Sequence, residues 1–242
     1  MINSTNTVCI TGASRGIGRK LAHAFSAVGF PIILTASSIN NLSRVKKECL
    51  EAGSPKVETV EVNFLRDNPL RELDHLQSKP SILINNAGNF LFKNLHDTTD
   101  QDYIHQFSIN ALGTIRVTDY LLPVLANHKQ ALIVNICSKA SVVGYYDASA
   151  YSVSKHALYG YGKALRAYLK QAAPHVACTN ILLGQTLSSS WDGLDVDHKL
   201  LIDPVDVAEV IIGLTKLGTR TVVEELTIMP SKENFQGEYI GN

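Results

Sequence analysis

The sequence has no excess of charge of either sign, since its 242 residues contain 22 lysines and arginines against 22 aspartates and glutamates. No block of like charges marks a surface for nucleic acid or anionic lipid, so we expect neither partner. No apolar run approaches the roughly 18 residues that span a bilayer, and residues 1–7 lack the basic and then apolar pattern of a secretory signal. We therefore expect a soluble cytoplasmic protein.

Cysteine is sparse, and the four thiols stand far apart in the chain, at Cys9, Cys49, Cys137 and Cys178. No Cys-x-x-Cys pair or paired histidines accompany them, which argues against a disulfide framework and against structural zinc. We predict no metal site. Cys137 adjoins Ser138 and could be a nucleophile, but no basic neighbour or helix N-terminus is evident to activate it, so a packed core thiol is the favoured interpretation.

The chain also lacks a Pro/Ser-rich linker, an internal repeat and a low-complexity tract, so we expect one domain over residues 1–242. Helical stretches separate most of the apolar, strand-like runs, which cover residues 7–11, 31–36, 57–63, 81–85, 131–137, 175–183 and 223–229. This alternation predicts a doubly wound α/β fold, with a mainly parallel seven-stranded sheet and helices on both faces. The one extended interruption is residues 187–201.

Glycines are grouped directly after the first apolar run, in Thr11-Gly12-Ala13-Ser14-Arg15-Gly16-Ile17-Gly18, and a helical pattern follows. Strand, glycine-rich turn and helix form an arrangement that binds a pyrophosphate. The backbone can approach the phosphates there, and the positive end of the helix stabilises them. A plain tight turn is the alternative, which the position between a strand and a helix disfavours.

A second motif lies further along the chain, where Tyr151 and Lys155 form a Tyr-x-x-x-Lys pair. If residues 149–171 are helical, the phenol and the ammonium share one face about one turn apart. A free tyrosine, with a pKa of about 10, is a poor proton donor and acceptor at neutral pH, and a nearby cation favours its phenolate. Ser138 ends the apolar run before this helix and would hydrogen-bond the same substrate oxygen.

Together these motifs resemble those of the short-chain dehydrogenase/reductase family in its compact single-domain form, and the resemblance covers nearly the whole chain. Asn85-Asn86-Ala87-Gly88 matches the family's turn after the fourth strand, and Asn110 matches its catalytic asparagine. The resemblance implies a Rossmann-like fold that binds a nicotinamide dinucleotide. It also implies reversible hydride transfer between that cofactor and a small-molecule carbonyl or alcohol substrate.

The resemblance implies roles for individual residues. Ser138 would hold the substrate oxygen and Tyr151 would give it a proton. Lys155 would support the tyrosine and bind the nicotinamide ribose, while Asn110 would hold a helix kink and a water of the proton relay. Cofactor contacts are expected at Gly12, Ser14, Arg15, Gly16, Ile17, Gly18, Ser37, Ser38, Asn63, Asn86, Ala87, Gly88, Tyr151, Lys155, Gly184 and Thr186.

The choice between NADP and NAD is argued from the end of the second strand, where NAD users of this family usually carry an acidic residue. Here the run Leu34-Thr35-Ala36-Ser37-Ser38 contains no carboxylate. Arg15 stands where NADP-preferring relatives carry a basic residue, so we expect NADPH over NADH. Asn63 replaces the usual adenine-binding aspartate. Leu183 replaces a common proline, which leaves Thr186 and Ser188 as alternatives for the contact to the nicotinamide amide.

The helix of Tyr151 is more apolar than one face of a surface helix requires, and residues 115–125 are similar. In the family these two helices pair across a two-fold axis, so we expect a homodimer or homotetramer. Tyr145, Tyr146 and Trp191 are expected to line the substrate pocket. A nucleotide-sensing or scaffold protein without turnover remains the alternative function, and a sugar-nucleotide epimerase or dehydratase fits poorly with 242 residues.

Overall fold

The seven apolar runs form the strands of one parallel sheet. The computed structural model describes residues 2–191, 193 and 196–232. The strands are β1 (Thr7–Ile10), β2 (Ile32–Ala36), β3 (Val57–Glu61), β4 (Pro80–Asn85), β5 (Ala131–Ser138), β6 (Val176–Leu183) and β7 (Glu225–Ile228). Their order in the sheet is β3-β2-β1-β4-β5-β6-β7, and every neighbouring pair is parallel. The prediction of a doubly wound, seven-stranded parallel sheet is confirmed.

Six α-helices of the described residues connect the strands: α1 (Gly16–Ala27), α2 (Ile39–Glu51), α3 (Asp100–Phe107), α4 (Gly113–Ala126), α5 (Ser149–Ala172) and α6 (Pro204–Thr215). Parallel strands need crossovers of this length, because each chain segment must return to the same end of the sheet. Within the described part of the chain, no helix combines the length and apolar character that crossing a membrane requires.

The hydrophobic core lies in two layers, one on each face of the sheet. Val8 and Ile10 of β1 pack into the layer that includes α1, α2 and α6, whereas Cys9 between them packs into the layer of α4 and α5. Successive side chains of a strand point to opposite faces, so a strand covered on both faces reads as a continuous apolar run. This is why the strands were visible in the sequence.

A row of buried asparagines crosses the sheet beneath the helix that carries Tyr151 and Lys155. Asn85, Asn135 and Asn180 occupy matching positions in β4, β5 and β6. Asn85 donates to Asn135 Oδ1 at 2.9 Å, and Asn135 donates to Asn180 Oδ1 at 3.0 Å. Asn180 then donates to the main-chain oxygen of Tyr159 in α5, at 3.2 Å. The row therefore ties α5 to the centre of the sheet.

The contact between Asn180 and α5 requires a glycine at the facing position of the helix. A Cβ added to Gly162 would lie 2.1 Å from Asn180 Oδ1. Arg166, one turn further along, is buried and donates to the main-chain oxygen of Glu224 and to the carboxylate of Glu225. The orientation of α5 is thus fixed by polar contacts to β6 and to the segment that begins β7.

Candidate active site

The strand order reverses between β1 and β4, and the chain leaves both strands at their carboxyl ends, where a crevice opens in sheets of this type. The turns after these two strands are fastened to each other. Asn86 Nδ2 donates to the main-chain oxygens of Thr11 and Gly12, at 2.9 and 3.2 Å. The Thr11 hydroxyl accepts from the main-chain nitrogens of Asn86 and Ala87. The predicted phosphate-binding turn and the Asn-Asn-Ala-Gly turn thus form one unit.

Two glycines of the first turn are required by its geometry. Gly12 has φ of 64°, in the left-handed region that favours glycine, and a Cβ there would lie 2.7 Å from Ala87 Cα. A Cβ on Gly18 would lie 2.3 Å from the Gly12 oxygen and 2.4 Å from Asn86 Nδ2. The turn is therefore packed closely against its neighbours, without side chains that would keep a ligand away from the backbone.

The first turn of α1 fits a diphosphate. Arg15 precedes the helix without a side-chain cap, and the first turn contains no acidic residue. The free N–H groups and the positive end of the helix dipole therefore face the crevice without a competing carboxylate. Ser14, Gly16 and Ile17 belong to the same turn and are only partly buried. These residues match the chemistry of a dinucleotide phosphate group.

The end of β2 carries the residues expected to meet the adenosine ribose. Ser37 is exposed and Ser38 is half-buried, and Ser38 begins α2 without a side-chain cap bond. The first turn of α2 contains no acidic residue either. Asn63 follows β3, where its Oδ1 accepts from Leu65 N at 3.1 Å and its amide nitrogen remains for a ligand. An anionic group at the start of α2 would therefore meet hydroxyls and no carboxylate of that turn, and Glu61, opposite Ala36 in β3, is paired with Arg66 at 2.6 Å.

Tyr151 and Lys155 lie in the first two turns of α5, as the spacing predicted. Lys155 Nζ is 5.8 Å from the centroid of the Tyr151 ring and donates to the main-chain oxygen of Ile136 in β5, at 3.0 Å. Ser138 ends β5 two residues later, so the strand holds both the lysine anchor and the serine. The Ser138 hydroxyl accepts from Ala140 N at 3.1 Å, which leaves its own proton free to be donated.

Asn110 links the loop after β4 and the helices α3 and α5. It is fully buried in a π-helical turn, Ser108–Leu112, inserted between α3 and α4. Such turns are frequent at functional sites. Its Oδ1 accepts from Asn89 N at 2.8 Å, and its amide nitrogen lies within 3.0 Å of Asn89 O, Gln106 Oε1 and Ser154 Oγ. The side chain thus joins the loop after β4, α3 and α5.

Gly88 brings the asparagine and the lysine into one site. A Cβ on Gly88 would lie 2.9 Å from Asn110 Oδ1 and 3.7 Å from Lys155 Nζ. The structure therefore gathers Gly88, Asn110 and Lys155 directly, with Tyr151 one turn from the lysine. Asn89, Gln106 and Ser154 hold Asn110, and the sequence analysis did not identify them. These polar residues belong to no motif, so nothing in the sequence indicates that they contact Asn110.

The described part of residues 187–201 contacts the glycine-rich turn. Arg15 donates to Ser189 Oγ at 2.6 Å, and a Cβ on Gly16 would lie 3.4 Å from Ser188 Cβ. Thr186 is buried, and its hydroxyl donates to the Gly184 oxygen at 3.0 Å. Trp191 Nε1 donates to the Thr186 oxygen at 2.8 Å. Positions 192, 194 and 195 of this segment lie outside the described residues.

Two further loops flank Tyr151. Phe90, which the sequence did not single out, packs edge-on against the Tyr151 ring, with centroids 4.8 Å apart and planes at 74°. Phe92 lies 6.2 Å from Phe90. Tyr145 and Tyr146, predicted to line the pocket, are exposed on the loop before α5. Phe90 is therefore in direct contact with the tyrosine, and Phe92 extends this aromatic contact.

The loop of Phe90 and Phe92 is fixed at its far end by an ion pair. Lys93 Nζ lies 2.6 Å from Asp102 Oδ2. The same oxygen accepts from the main-chain nitrogen and the hydroxyl of Thr99, both at 2.8 Å. The bond from Lys93 and those from Thr99 lower the pKa of the Asp102 carboxyl to about 2. Asp102 is therefore ionised at any neutral pH.

Metal and thiol chemistry find no support at this site. Among the residues described, no group of three or more His, Cys, Asp or Glu side chains could hold a metal ion. Burial raises the pKa of Cys137 to about 11, despite the nearby charge of Lys155. The thiol next to Ser138 is thus protonated at neutral pH, in agreement with the packing interpretation.

The fold and the crevice define an α/β protein built to bind a dinucleotide. The family of short chain dehydrogenases matches residues 6–197, and the chain belongs to this family of nicotinamide-dependent oxidoreductases. A probable short-chain type dehydrogenase/reductase, VdlC, of Helicobacter pylori is 32% identical over 96% of this chain and 86% of its own length.

Two other relatives differ in coverage. Human dehydrogenase/reductase SDR family member 7 is 32% identical over 75% of this chain, and the matched region spans only 56% of that protein. The chain thus spans about half the length of the human relative and of its mouse counterpart, which is matched over 55%. Sepiapterin reductase of Chlorobaculum tepidum is 26% identical over 95% of this chain and 98% of its own length.

Solved structures share the fold at low identity. An alcohol dehydrogenase from Thermococcus sibiricus, complexed with 5-hydroxy-NADP, has a TM-score of 0.85 at 21% identity, over 96% of this chain and 99% of that one. L-sorbose reductase from Gluconobacter frateurii, complexed with NADPH and L-sorbose, has a TM-score of 0.84 at 21% identity, over 95% and 97%. Identities this low establish the architecture alone.

Proposed function

We propose that the chain, as one domain over residues 1–242, is an NADP(H)-dependent oxidoreductase that interconverts a carbonyl and an alcohol group on a small molecule. The observation that carries the proposal is the meeting of two units at one edge of the sheet. One is the glycine-rich turn before α1, fastened to the turn after β4. The other is the start of α5, whose Lys155 is anchored on β5.

The protein's part in the reaction is to position the substrate oxygen and move a proton to it. When bound, the nicotinamide ring supplies or accepts the hydride. In the reducing direction Ser138 donates a hydrogen bond to the substrate oxygen, and its accepted bond from Ala140 fixes the direction of that donation. Tyr151 then donates its proton as negative charge develops on the same oxygen.

Lys155 and Asn110 support this transfer. The ammonium of Lys155 stabilises the phenolate left after Tyr151 has given up its proton, and its bond to Ile136 keeps the charge in place. It also offers a donor to the nicotinamide ribose. The Asn110 side chain bonds inside the protein through both its amide nitrogen and its oxygen, so it acts by holding α3, α5 and the loop after β4 in place.

The remaining predicted contacts would hold the cofactor. Gly12, Gly16 and Gly18 would admit the diphosphate, with Ser14 and Ile17 beside it, and Asn63 would contact the adenine. Asn86, Ala87 and Gly88 of the turn after β4 would border the cofactor, and Gly184 with Thr186 or Ser188 would lie near the nicotinamide.

NADPH is preferred over NADH because a 2'-phosphate meets Arg15, Ser37 and Ser38 without a carboxylate in the first turn of α2. The Arg15 guanidinium has five N–H donors, so its bond to Ser189 leaves donors for a phosphate. Fluorescence titration tests this choice. NADPH should bind more tightly than NADH, and Arg15→Ala should remove most of that difference while leaving NADH affinity unchanged. An equal or lower Kd for NADH in the unmodified protein contradicts the assignment.

The activity is tested by following NADPH absorbance with a panel of ketones and aldehydes, and NADP reduction with the matching alcohols. Consumption with at least one carbonyl compound, absent from protein in which Tyr151 is replaced by Phe, is the expected result. If NADPH binds but no carbonyl compound or alcohol is converted, the chain is a nucleotide-binding protein without turnover and the proposal is wrong.

A homodimer or homotetramer completes the proposal, and its support is an exposed apolar stripe along α5. Val153, Gly160, Ala164 and Tyr168 are exposed, Ala157 is half-buried, and all five share one face of the helix. Open space surrounds Gly160, where an added Cβ would meet nothing within 4 Å. A second copy in the cytoplasm would cover this stripe. A monomer mass independent of concentration in sedimentation would contradict the assembly.

A further inference from the structure

Exposed aromatic side chains lie on the two loops next to Tyr151, the proposed proton donor. We use the name aromatic rim for Phe90, Phe92, Tyr145 and Tyr146, which are exposed to 36, 54, 37 and 79%. Phe90 contacts the Tyr151 ring, and Phe92 contacts Phe90. Large apolar side chains left exposed beside a reacting group mark a ligand-binding surface rather than a core.

The two halves of the rim belong to loops that the backbone joins. Lys93 N donates to the Asp147 oxygen at 2.7 Å, and Lys93 forms an isolated parallel bridge with Ala148. Phe92 precedes the joined position on one loop, and Tyr146 precedes it on the other. The rim is therefore a connected wall at the start of α5, not four unrelated surface residues.

Charge on these loops is low or already neutralised. The ammonium of Lys93 is paired with Asp102, so this cation is not offered to an anionic substrate. Lys139 and Asp147 on the second loop are of opposite sign and half-buried, and Asp97, exposed on the first loop, accepts from Asn94 Nδ2. The four rings of the wall are thus uncharged, with two phenol hydroxyls as their polar groups, and the charges on the loops nearly cancel.

We propose that the aromatic rim binds the apolar body of the substrate, so that the physiological carbonyl compound carries a ring or a long hydrocarbon group next to its carbonyl. This inference rests on the proposed function. Aromatic rings pack on one another with centroids 4.5–7 Å apart, the range already seen for Phe90 against Tyr151 and Phe92, and they also bury aliphatic groups. A small polyhydroxylated carbonyl compound has little apolar surface to bury against such a wall.

The test compares kcat/KM for acetophenone and 2-octanone with kcat/KM for dihydroxyacetone, using NADPH and the full chain. The unmodified protein should favour the two apolar ketones. Phe92→Ala should lower their kcat/KM about 10-fold, the lower range for removing contacts in a hydrophobic pocket, and should leave dihydroxyacetone within about 2-fold. Leu50→Ala is the control, because Leu50 is also half-exposed but lies in α2 at the other side of the sheet.

Phe90→Ala separates recognition from support of the tyrosine. If Phe90 acts only by holding Tyr151, all three ketones lose the same factor and the inference is wrong. A better rate with dihydroxyacetone than with the apolar ketones also overturns it. If Phe92→Ala changes the mass in sedimentation but leaves the ratio of kcat/KM for the apolar ketones to kcat/KM for dihydroxyacetone unchanged, the rim is a contact between two copies of the chain and the inference is wrong. If no carbonyl compound is converted while NADPH binds, the proposed function has failed rather than this inference alone.

Discussion

Replacement of Gly162 by alanine tests how α5 is held on the sheet. In an exposed helix interior, glycine to alanine stabilises a protein by about 1 kcal/mol. At Gly162 the added Cβ would lie 2.1 Å from Asn180 Oδ1 and 2.6 Å from its Nδ2. Asn180 cannot turn away without losing bonds, since it accepts from Asn135 and donates to the Tyr159 oxygen.

The expected cost combines two effects. Overpacking in a well-packed interior costs about 1–3 kcal/mol, and a buried amide left without its partner costs about 1–3 kcal/mol. After the helix-propensity gain, Gly162→Ala should lower the free energy of unfolding by about 1–5 kcal/mol. Urea unfolding at one protein concentration measures this as a lower midpoint with an unchanged slope.

Gly213 provides a matched control. It lies in α6, is exposed, and a Cβ there would meet nothing within 4 Å. Gly213→Ala should therefore raise the free energy of unfolding by up to about 1 kcal/mol. If Gly162→Ala unfolds at a urea concentration equal to or above that of Gly213→Ala, the proposed packing of α5 on Asn180 is refuted.

Three other outcomes are expected. Gly18→Ala should weaken NADPH binding at least about 10-fold in a fluorescence titration, because its Cβ would lie 2.3 Å from the Gly12 oxygen and displace the turn; unchanged affinity would contradict the role of this turn. A thiol-reactive dye at pH 8 should label none of the four cysteines in the native protein and all of them after unfolding, since all are buried and burial raises their pKa values. Asp102→Asn should cost the same stability at pH 5 and pH 8, because the lowered pKa of Asp102 keeps it ionised there. The difference in free energy of unfolding between the variant and the unmodified protein should shrink only as the pH falls from about 4, the pKa of an unfolded aspartate, towards 2. A change in that difference between pH 5 and pH 8 would contradict the pairing with Lys93.

The fold was predictable because each strand is covered on both faces. Every predicted run corresponds to an observed strand, with ends that differ by two residues at most, as where β7 begins at Glu225 against a predicted 223. The asparagine row could not be predicted in the same way. Asn85, Asn135 and Asn180 align only once the register of β4, β5 and β6 is known, and no local pattern contains that register.

The parts of the site that consist of short motifs could be predicted, because their geometry depends only on residues close together in the sequence. Tyr151 and Lys155 share a helix face by their spacing alone, and the glycine-rich turn lies between a strand and a helix. Contacts between loops could not be predicted in this way. Phe90 meets Tyr151, and Arg15 meets Ser189 across 174 positions of sequence, so these pairs exist only in the folded chain. The catalytic and cofactor roles themselves stay predictions.

The central claim is that Tyr151 donates the proton, and Tyr151→Phe tests it most directly. The variant should bind NADPH within about 2-fold of the unmodified protein but turn over at least about 100-fold more slowly, as for the loss of a general acid. Tyr159→Phe, in the same helix with its hydroxyl on Glu225, should keep its turnover. Undiminished turnover in Tyr151→Phe would contradict the account.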